Sequence, residues 1–221
     1  MELNKYIDHT LLKASATKNE ILKLCDEAVH YNFCSVCVNG SYVAVASDYL
    51  KGTNVKIASV VGFPLGAMDT SSKLQETKNC IKNGADEIDM VMNIGYLKSG
   101  CYEAVMNEII DVKKMMGDLV LKVILETCFL TKEEIIVASQ IAINAQADFI
   151  KTSTGFGSAG AKIEDVELMK EVVCDLAMIK ASGGIKDQET AIQFINAGAS
   201  RLGTSSGVAI VTGTEVNINK Y

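Results

Sequence analysis

The sequence has few of the side chains that usually bind a metal ion. Its 221 residues include two histidines, His9 and His30, together with one proline and no tryptophan. Zinc sites are built from closely spaced cysteine and histidine ligands, and the sequence contains no such grouping. We therefore expect no metal centre.

Excess positive charge and long apolar runs are also missing. Lysine and arginine total 21 against 27 aspartates and glutamates, for a net charge of -6, and no basic stripe typical of nucleic-acid binding stands out. No apolar run approaches the roughly 18 residues of a membrane-spanning helix, and residues 1–5 lack the apolar core of a signal peptide. We predict a soluble, cytoplasmic protein that binds neither nucleic acid nor membrane.

Seven cysteines are present, but they do not indicate a disulfide framework, because thiols inside the cell stay reduced. Cys34 and Cys37 have the spacing of a redox pair. In a strand, however, positions i and i+3 point to opposite faces. We interpret both as structural or incidental thiols.

No proline- or glycine-rich linker divides the chain, so we predict one domain over residues 1–221. Short apolar runs alternate with longer amphipathic ones. The predicted strands cover residues 4–9, 34–39, 55–61, 86–92, 119–126, 147–152, 176–181 and 200–204. The predicted helices cover residues 17–31, 40–50, 70–84, 101–116, 131–145, 163–174, 187–197 and 205–211, with N-caps at Thr17, Thr131 and Asp187.

Eight strands that alternate with helices predict a (β/α)8 barrel, the TIM barrel fold. A doubly wound open sheet is the alternative, but no Gly-x-Gly-x-x-Gly follows the first strand. In such a barrel the active site forms at the C-terminal ends of the strands. The polar residues at these ends are Asp8, Asn39, Asp89, Asn93, Glu126, Lys151, Lys180 and Ser205.

Two of these strand ends have the same pattern, in which an apolar run leads to a lysine and then to small hydroxyl and glycine residues. They are residues 147–155, with Lys151, and residues 176–184, with Lys180. Two buried ammonium groups side by side destabilise each other, so one loses its proton near neutral pH. A neutral amine attacks carbonyl carbon to form a Schiff base. Lys122 adds a third positive charge, and Asp89 offers a carboxylate for proton relay.

Small residues follow the last two predicted strands. Ser182, Gly183 and Gly184 come after the seventh strand, and residues 203–207 (Gly-Thr-Ser-Ser-Gly) come after the eighth. Backbone N–H groups of such loops bind anions, and in TIM barrels these two loops commonly hold phosphate. With Gly155 nearby, they predict a small phosphorylated substrate.

Eight segments resemble the deoxyribose-phosphate aldolase family and occur in family order along the chain. They are residues 7–13, 36–39, 60–67, 84–91, 122–127, 149–156, 180–185 and 201–206. The resemblance implies a class I aldolase that needs no metal and no cofactor. Its substrate would be 2-deoxy-D-ribose 5-phosphate, reversibly cleaved to acetaldehyde and D-glyceraldehyde 3-phosphate in deoxyribose phosphate catabolism. A homodimer is compatible with the resemblance.

The resemblance also implies a role for each matching residue. Lys151 resembles the Schiff-base lysine, Lys180 the neighbour that lowers its pKa, and Asp89 the aspartate that relays protons through a bound water. Asp8 and Lys122 resemble supporting catalytic residues. The implied phosphate-binding residues are Gly155, Gly183, Gly184, Ser205 and Ser206.

Three positions depart from the family pattern: Ala14, Gln146 and Lys186. Lys186 stands where many members carry arginine, so a bidentate phosphate contact is lost and weaker phosphate affinity is expected. The chain ends at Tyr221, and residues 217–221 fit either a frayed terminus or a tail that closes over the site.

Two other functions fit the same barrel. One is a phosphosugar isomerase or epimerase that uses Asp89 as a base without a covalent intermediate. The other is a phosphosugar-binding protein without catalytic activity. Borohydride trapping of an imine separates the first from an aldolase, and an assay of deoxyribose 5-phosphate cleavage separates the second.

Overall fold

Eight parallel strands close into a barrel in which each strand pairs with the next along the chain and β8 pairs with β1. The computed structural model describes residues 1–214. The strands are β1 Ile7–Leu11, β2 Ser35–Val38, β3 Lys56–Val61, β4 Glu87–Val91, β5 Val120–Ile124, β6 Phe149–Lys151, β7 Met178–Ser182 and β8 Arg201–Thr204. The predicted (β/α)8 barrel is confirmed. The tail at residues 217–221, which ends in Tyr221, lies outside the described residues.

Helices alternate with the strands and cover the outside of the barrel. They are α1 Lys18–His30, α2 Val43–Tyr49, α3 Thr70–Lys82, α4 Ile94–Lys98, α5 Tyr102–Met116, α6 Lys132–Asn144, α7 Ile163–Val173, α8 Gln188–Asn196 and α9 Gly207–Thr212. The predicted N-caps at Thr17, Thr131 and Asp187 are confirmed, since each side chain accepts a backbone N–H three residues on. Within residues 1–214, no helix is long and apolar enough to cross a membrane.

Two differences from the predicted elements stand out, at the start of β1 and at α4, and one residue has an unusual backbone angle. Leu3–Tyr6 is a 3-10 helix, so the predicted strand 4–9 begins only at Ile7. Helix α4, which the sequence pattern did not predict, begins after Asn93, whose side chain accepts the backbone N–H of Tyr96. Gln146, one of the three positions noted above as departures from the resembled family, has a φ of +63°, a backbone conformation that favours glycine.

The barrel interior is divided between an apolar side and a charged side. Leu12, Cys37, Ala58 and Val60 form a small buried cluster around β2 and β3. The remaining strands send buried charged side chains inward, whereas a much larger apolar core fills the space between the barrel and its helices. The fold therefore leaves one part of the interior for polar chemistry.

The loop after β3 packs closely on the end of β4. At Gly66, which has a φ of +66°, a Cβ atom would lie 2.1 Å from the carbonyl oxygen of Met92. Beside this loop the buried Lys73 donates to the carbonyl of Val91 at 2.9 Å and to Glu108 at 2.7 Å. These contacts fix the C-terminal end of β4, where the polar interior begins.

We predict that Gly66→Ala destabilises the fold much more than Gly100→Ala. Both glycines have positive φ, but a Cβ at Gly100 would meet nothing within 4 Å. Both substitutions carry a conformational penalty of about 1 kcal/mol, and only Gly66→Ala adds a clash with backbone, for a total of about 3 kcal/mol or more. Urea denaturation of the two variants measures the difference. Equal losses would show that the close approach at Gly66 is unimportant.

Candidate active site

A single buried carboxylate, Asp89 on β4, binds three lysine ammonium groups. Lys122 Nζ lies 2.8 Å from Asp89 Oδ1. Lys151 Nζ and Lys180 Nζ lie 2.7 Å and 2.8 Å from Asp89 Oδ2. All four side chains are buried, and they come from four consecutive strands. The two lysines of the sequence pattern thus meet at one oxygen atom, instead of facing each other without a counter-ion.

Three more charged residues complete this arrangement below Asp89. Asp8 on β1 accepts from Lys180 Nζ at 2.5 Å, and Glu87 accepts from Lys122 Nζ at 2.5 Å. Arg201 on β8 joins them, with Nη1 at 2.5 Å from Asp8 Oδ1 and Nη2 at 3.1 Å from Glu87 Oε1. We call these seven residues the ion cluster: Asp8, Glu87, Asp89, Lys122, Lys151, Lys180 and Arg201.

The ion cluster stabilises its aspartates in the charged form. Burial by itself would raise the pKa of Asp89, but the ammonium groups of Lys122, Lys151 and Lys180 outweigh it and hold the pKa well below its ordinary value. The pKa of Asp8 is likewise lowered, against the effect of burial, mainly by Lys180. Both carboxylates therefore stay ionised throughout the neutral range.

The three lysines of the cluster differ in their proton affinity. Burial opposes charge on each of them, but nearby carboxylates raise the pKa of Lys180 and of Lys122 above the ordinary value. For Lys151, burial is the largest influence, and together with the Lys180 ammonium it outweighs Asp89, so the pKa of Lys151 is lowered. Lys151 is thus the cluster lysine that most readily loses its proton.

Lys151 also opens onto a cavity of about 470 Å³ at the C-terminal end of the barrel. The cavity includes all five residues predicted to bind phosphate: Gly155, Gly183, Gly184, Ser205 and Ser206. Apolar walls come from Leu11, Leu12, Phe156 and Ile185, and the exposed Lys13 and Lys186 stand at its edge. Of the five residues predicted to be catalytic, Lys151 lines this cavity, whereas Asp8, Asp89, Lys122 and Lys180 belong to the buried cluster.

The loop after Lys151 is fixed by Glu126, a residue for which the sequence predicted only a position at a strand end. Glu126 has left-handed backbone, with a φ of +55°. Its buried carboxylate accepts from the backbone N–H of Thr154 at 3.1 Å and from the Thr154 hydroxyl. This contact positions Thr154, Gly155 and Phe156 against the cavity. Nothing in the sequence marks Glu126 as left-handed.

Glu87 and Arg201 were missed as site residues. The available signal was strand period, because residues two apart point to the same face: Glu87 precedes Asp89 by two positions, and Arg201 precedes Gly203 by two. Asn39 and Asn93, also at strand ends, have structural contacts instead. Asn39 donates to the carbonyl of Leu12, and Asn93 caps α4.

Within residues 1–214, neither a disulfide nor a metal site accompanies this geometry. Cys34 and Cys37 are free thiols, and burial raises the pKa of both. Within residues 1–214, no three histidine, cysteine, aspartate or glutamate side chains are arranged to hold a metal ion.

Comparison with known proteins gives one consistent result. A family model described as DeoC/LacD family aldolase matches residues 3–213. A deoxyribose-phosphate aldolase from Brevibacillus brevis is 53% identical over the full length of both chains. The crystal structure of a putative deoxyribose-phosphate aldolase from Coccidioides immitis is 46% identical, with a TM-score of 0.94 over 96% of this chain and 85% of that one. A tetrameric deoxyribose phosphate aldolase from Aeropyrum pernix is 32% identical, with a TM-score of 0.88 over 96% of this chain and 90% of that one.

We predict that Asp8→Asn makes the stability of the fold less dependent on pH in acid. The folded-state pKa of Asp8 is lowered, so its contribution is fully present above the unfolded pKa of about 3.9 and is lost as pH falls below it. Removing this one group should reduce the slope of unfolding free energy against pH by up to about 1.4 kcal/mol per pH unit below pH 4. Urea denaturation at a series of pH values measures the slope.

The matched control is Asp175→Asn, because the Asp175 side chain is fully exposed. We expect this variant to keep the wild-type slope. If Asp8→Asn also kept it, the assigned ionisation of Asp8 would be wrong.

Proposed function

The chain belongs to the DeoC/LacD family of aldolases, and from this premise we propose that it is a class I aldolase that reversibly cleaves 2-deoxy-D-ribose 5-phosphate. The products would be acetaldehyde and D-glyceraldehyde 3-phosphate. The observation that carries the proposal is Lys151: it lines the cavity, and its pKa is lowered by burial and by Lys180. A buried lysine of this kind supplies a neutral amine for Schiff-base chemistry.

The first stage forms a bond between Lys151 and the substrate. The neutral amine attacks the C1 aldehyde carbon to form a carbinolamine. Its hydroxyl takes up a proton from solvent and leaves as water, which leaves a protonated imine on Nζ. Asp89 Oδ2 lies 2.7 Å from this nitrogen, so it orients the amine and stabilises the positive charge of the iminium. Lys180 on the same oxygen keeps its own proton, because nearby carboxylates raise its pKa.

The second stage breaks the C2–C3 bond. A base removes the proton of the C3 hydroxyl, the C2–C3 electron pair moves toward the iminium nitrogen, and glyceraldehyde 3-phosphate leaves an enamine on Lys151. We assign the proton transfer to a water held by Asp89. Since the pKa of Asp89 is held low by three lysines, it relays the proton and does not retain it. Protonation of the enamine at C2 and hydrolysis then release acetaldehyde.

The apolar side of the barrel interior supports a donor fragment without a hydroxyl at C2. Leu12, Cys37, Ala58 and Val60 form this surface, and Cys37 lies near enough to influence the charge on Lys151. A hydroxyl buried there without a hydrogen-bond partner would be destabilised by about 1–3 kcal/mol. A methyl or methylene carbon carries no such penalty. This favours acetaldehyde as the fragment held by Lys151.

The glycine-rich end of the cavity supports a phosphate at the other end of the substrate. Gly155, Gly183 and Gly184 have φ values of +86°, +86° and +84°, a backbone conformation that favours glycine, and residues without side chains let a ligand approach the backbone closely. Ser205 and Ser206 complete the set, and the exposed Lys186 adds a positive charge at the edge. We assign these five glycine and serine residues to phosphate binding. A homodimer and a place in the cytoplasm stay predictions for this chain.

We predict that Lys151→Met abolishes cleavage, by about 10⁴-fold or more in kcat, while the protein stays folded. Methionine has a similar volume, and replacing an uncharged amine leaves the charge of the ion cluster unchanged. Incubating wild type with acetaldehyde and borohydride should leave an ethyl group on Lys151, detected by peptide mass spectrometry. The Met variant should show none.

The control is Lys114→Ala, which removes an exposed lysine from the outer helix α5. It should trap acetaldehyde and cleave the phosphosugar as wild type does. Cleavage by wild type without any adduct would instead support a non-covalent mechanism.

We predict that Ser206→Asp raises KM for 2-deoxyribose 5-phosphate by about tenfold or more, because a carboxylate repels phosphate across a few ångströms. Ser206 precedes α9 as its N-cap, and aspartate and asparagine are both favoured there. Ser206→Asn therefore keeps the shape of the aspartate variant without its charge. Steady-state kinetics with phosphorylated and unphosphorylated deoxyribose compare the two variants.

The aspartate variant should lose affinity for the phosphorylated sugar alone, and the asparagine variant should lose far less. An equal effect of Ser206→Asp on both sugars would place the phosphate elsewhere.

A further inference from the structure

The ion cluster contains an unequal number of acidic and basic side chains. Its carboxylates are Asp8, Glu87 and Asp89, and its basic groups are Lys122, Lys151, Lys180 and Arg201. With every group ionised the cluster carries one excess positive charge. When Lys151 is neutral, the charges balance. Because an uncompensated charge is strongly unfavourable in a buried site, the composition of the cluster itself favours a neutral Lys151.

Glu87 and Arg201 contribute to this balance without contact to the reactive amine. Arg201 binds Asp8 and Glu87, and Glu87 also binds Lys122. Lys151 binds only Asp89 among the cluster residues. Glu87 is buried, and the Arg201 side chain is 13% exposed. Charge at these two residues therefore acts on Lys151 through the low-dielectric interior and through the shared carboxylates.

The charge balance includes every strand around the site. Six strands supply the cluster: β1 Asp8, β4 Glu87 and Asp89, β5 Lys122, β6 Lys151, β7 Lys180 and β8 Arg201. The other two are uncharged toward the interior, since β2 contributes the thiol of Cys37, with Cys34 just before it, and β3 contributes Ala58 and Val60. Among the carboxylates of these eight strands, Asp89 is the one that contacts Lys151, and the buried Glu126 just after β5 is bound by Thr154 instead.

We propose that Arg201 and Glu87 are positioning residues that set the charge balance of the ion cluster and thereby the proton occupancy of Lys151 at neutral pH. The inference rests on the proposed function, which makes Lys151 the Schiff-base lysine. Loss of the Arg201 charge leaves three carboxylates with two remaining cations besides Lys151, so the cluster balances only when Lys151 is protonated. Loss of the Glu87 charge has the opposite effect and favours the neutral amine further.

The two substitutions should therefore move the pH dependence in opposite directions. Only the neutral amine attacks the substrate, so kcat/KM falls as pH drops and Lys151 gains its proton. Arg201→Gln should shift this acidic limb to higher pH, and Glu87→Gln should shift it to lower pH. We expect each shift to be about one pH unit, at the lower end of the range for close charges. Asp8 stays ionised in the arginine variant, because it keeps its contact with Lys180.

Two further variants separate charge from packing. Arg201→Lys keeps the positive charge but loses the two-pronged contact with Asp8 and Glu87. It should lower kcat without moving the acidic limb. The double variant Arg201→Gln with Glu87→Gln removes one charge of each sign. It should return the limb to the wild-type pH.

The experiment measures kcat/KM for cleavage of 2-deoxyribose 5-phosphate between about pH 5 and pH 9, with circular dichroism to confirm that each variant is folded. Opposite shifts that cancel in the double variant support the proposal. Limbs that stay at the wild-type pH, or shift in the same direction, would overturn it. Should Arg201→Gln fail to fold, the nearly isosteric Glu87→Gln decides alone, because an unshifted limb in that variant also overturns the proposal.

Wild type separates this inference from the proposed function. If wild type cleaves the phosphosugar and borohydride traps acetaldehyde on Lys151, but the limbs do not shift as described, the charge-balance proposal alone fails. If wild type shows neither cleavage nor trapping, the proposed function fails first.

Discussion

The carboxylate of Asp89 is the contact on which the site depends. Three ammonium groups approach its two oxygens inside a buried barrel, and without it Lys151 would have no carboxylate of the cluster in contact with it. Two buried lysines without a counter-ion would also lower the pKa of one of them, but the unpaired charge would strongly destabilise the folded protein. The structure instead shares one anion among three cations. The lysines differ in proton affinity because Asp8 and Glu87 add further carboxylates beside Lys180 and Lys122, whereas Lys151 contacts Asp89 alone among the cluster residues.

The parallel barrel explains how such distant residues reach one carboxylate. Asp89, Lys122, Lys151 and Lys180 come from consecutive strands, and Lys151 is in register with Lys180, while Asp89 is in register with Lys122. Strands of three to five residues suffice, because each contributes one inward side chain at this level and ends at the mouth of the barrel. The same strand ends then lead directly into the glycine loops around the cavity. The C-terminal ends of these strands thus position both the proposed nucleophile and the proposed phosphate site.

The sequence was informative wherever local pattern and chemistry agreed. Alternating apolar runs predicted the barrel, and the repeated lysine segments indicated that Lys151 and Lys180 lie side by side. The sequence did not predict features that depend on contacts between residues distant along the chain. Glu87 and Arg201 begin their strands, and charged residues at strand starts resemble ordinary surface positions, so nothing local reveals that they bind each other across the interior. The left-handed backbone of Glu126 and Gln146 goes against the intrinsic preference of these residue types, so local sequence does not predict it.

Burial of Lys151 lowers its pKa and also destabilises the folded protein when Lys151 is protonated. Both effects express the same free energy. Each pKa unit by which the interior disfavours charge on Lys151 is about 1.4 kcal/mol of lost stability in the protonated form. The fold does not have to bear this loss at neutral pH if Lys151 is uncharged, because Lys122, Lys180 and Arg201 then match Asp8, Glu87 and Asp89 one for one. The protonation state that balances the charges of the interior is therefore the same state in which the Lys151 amine can act as a nucleophile in the proposed reaction. On the proposal made above, the neutral form of Lys151 is the one that the charge balance of the barrel stabilises, and the chemistry uses what stability already favours.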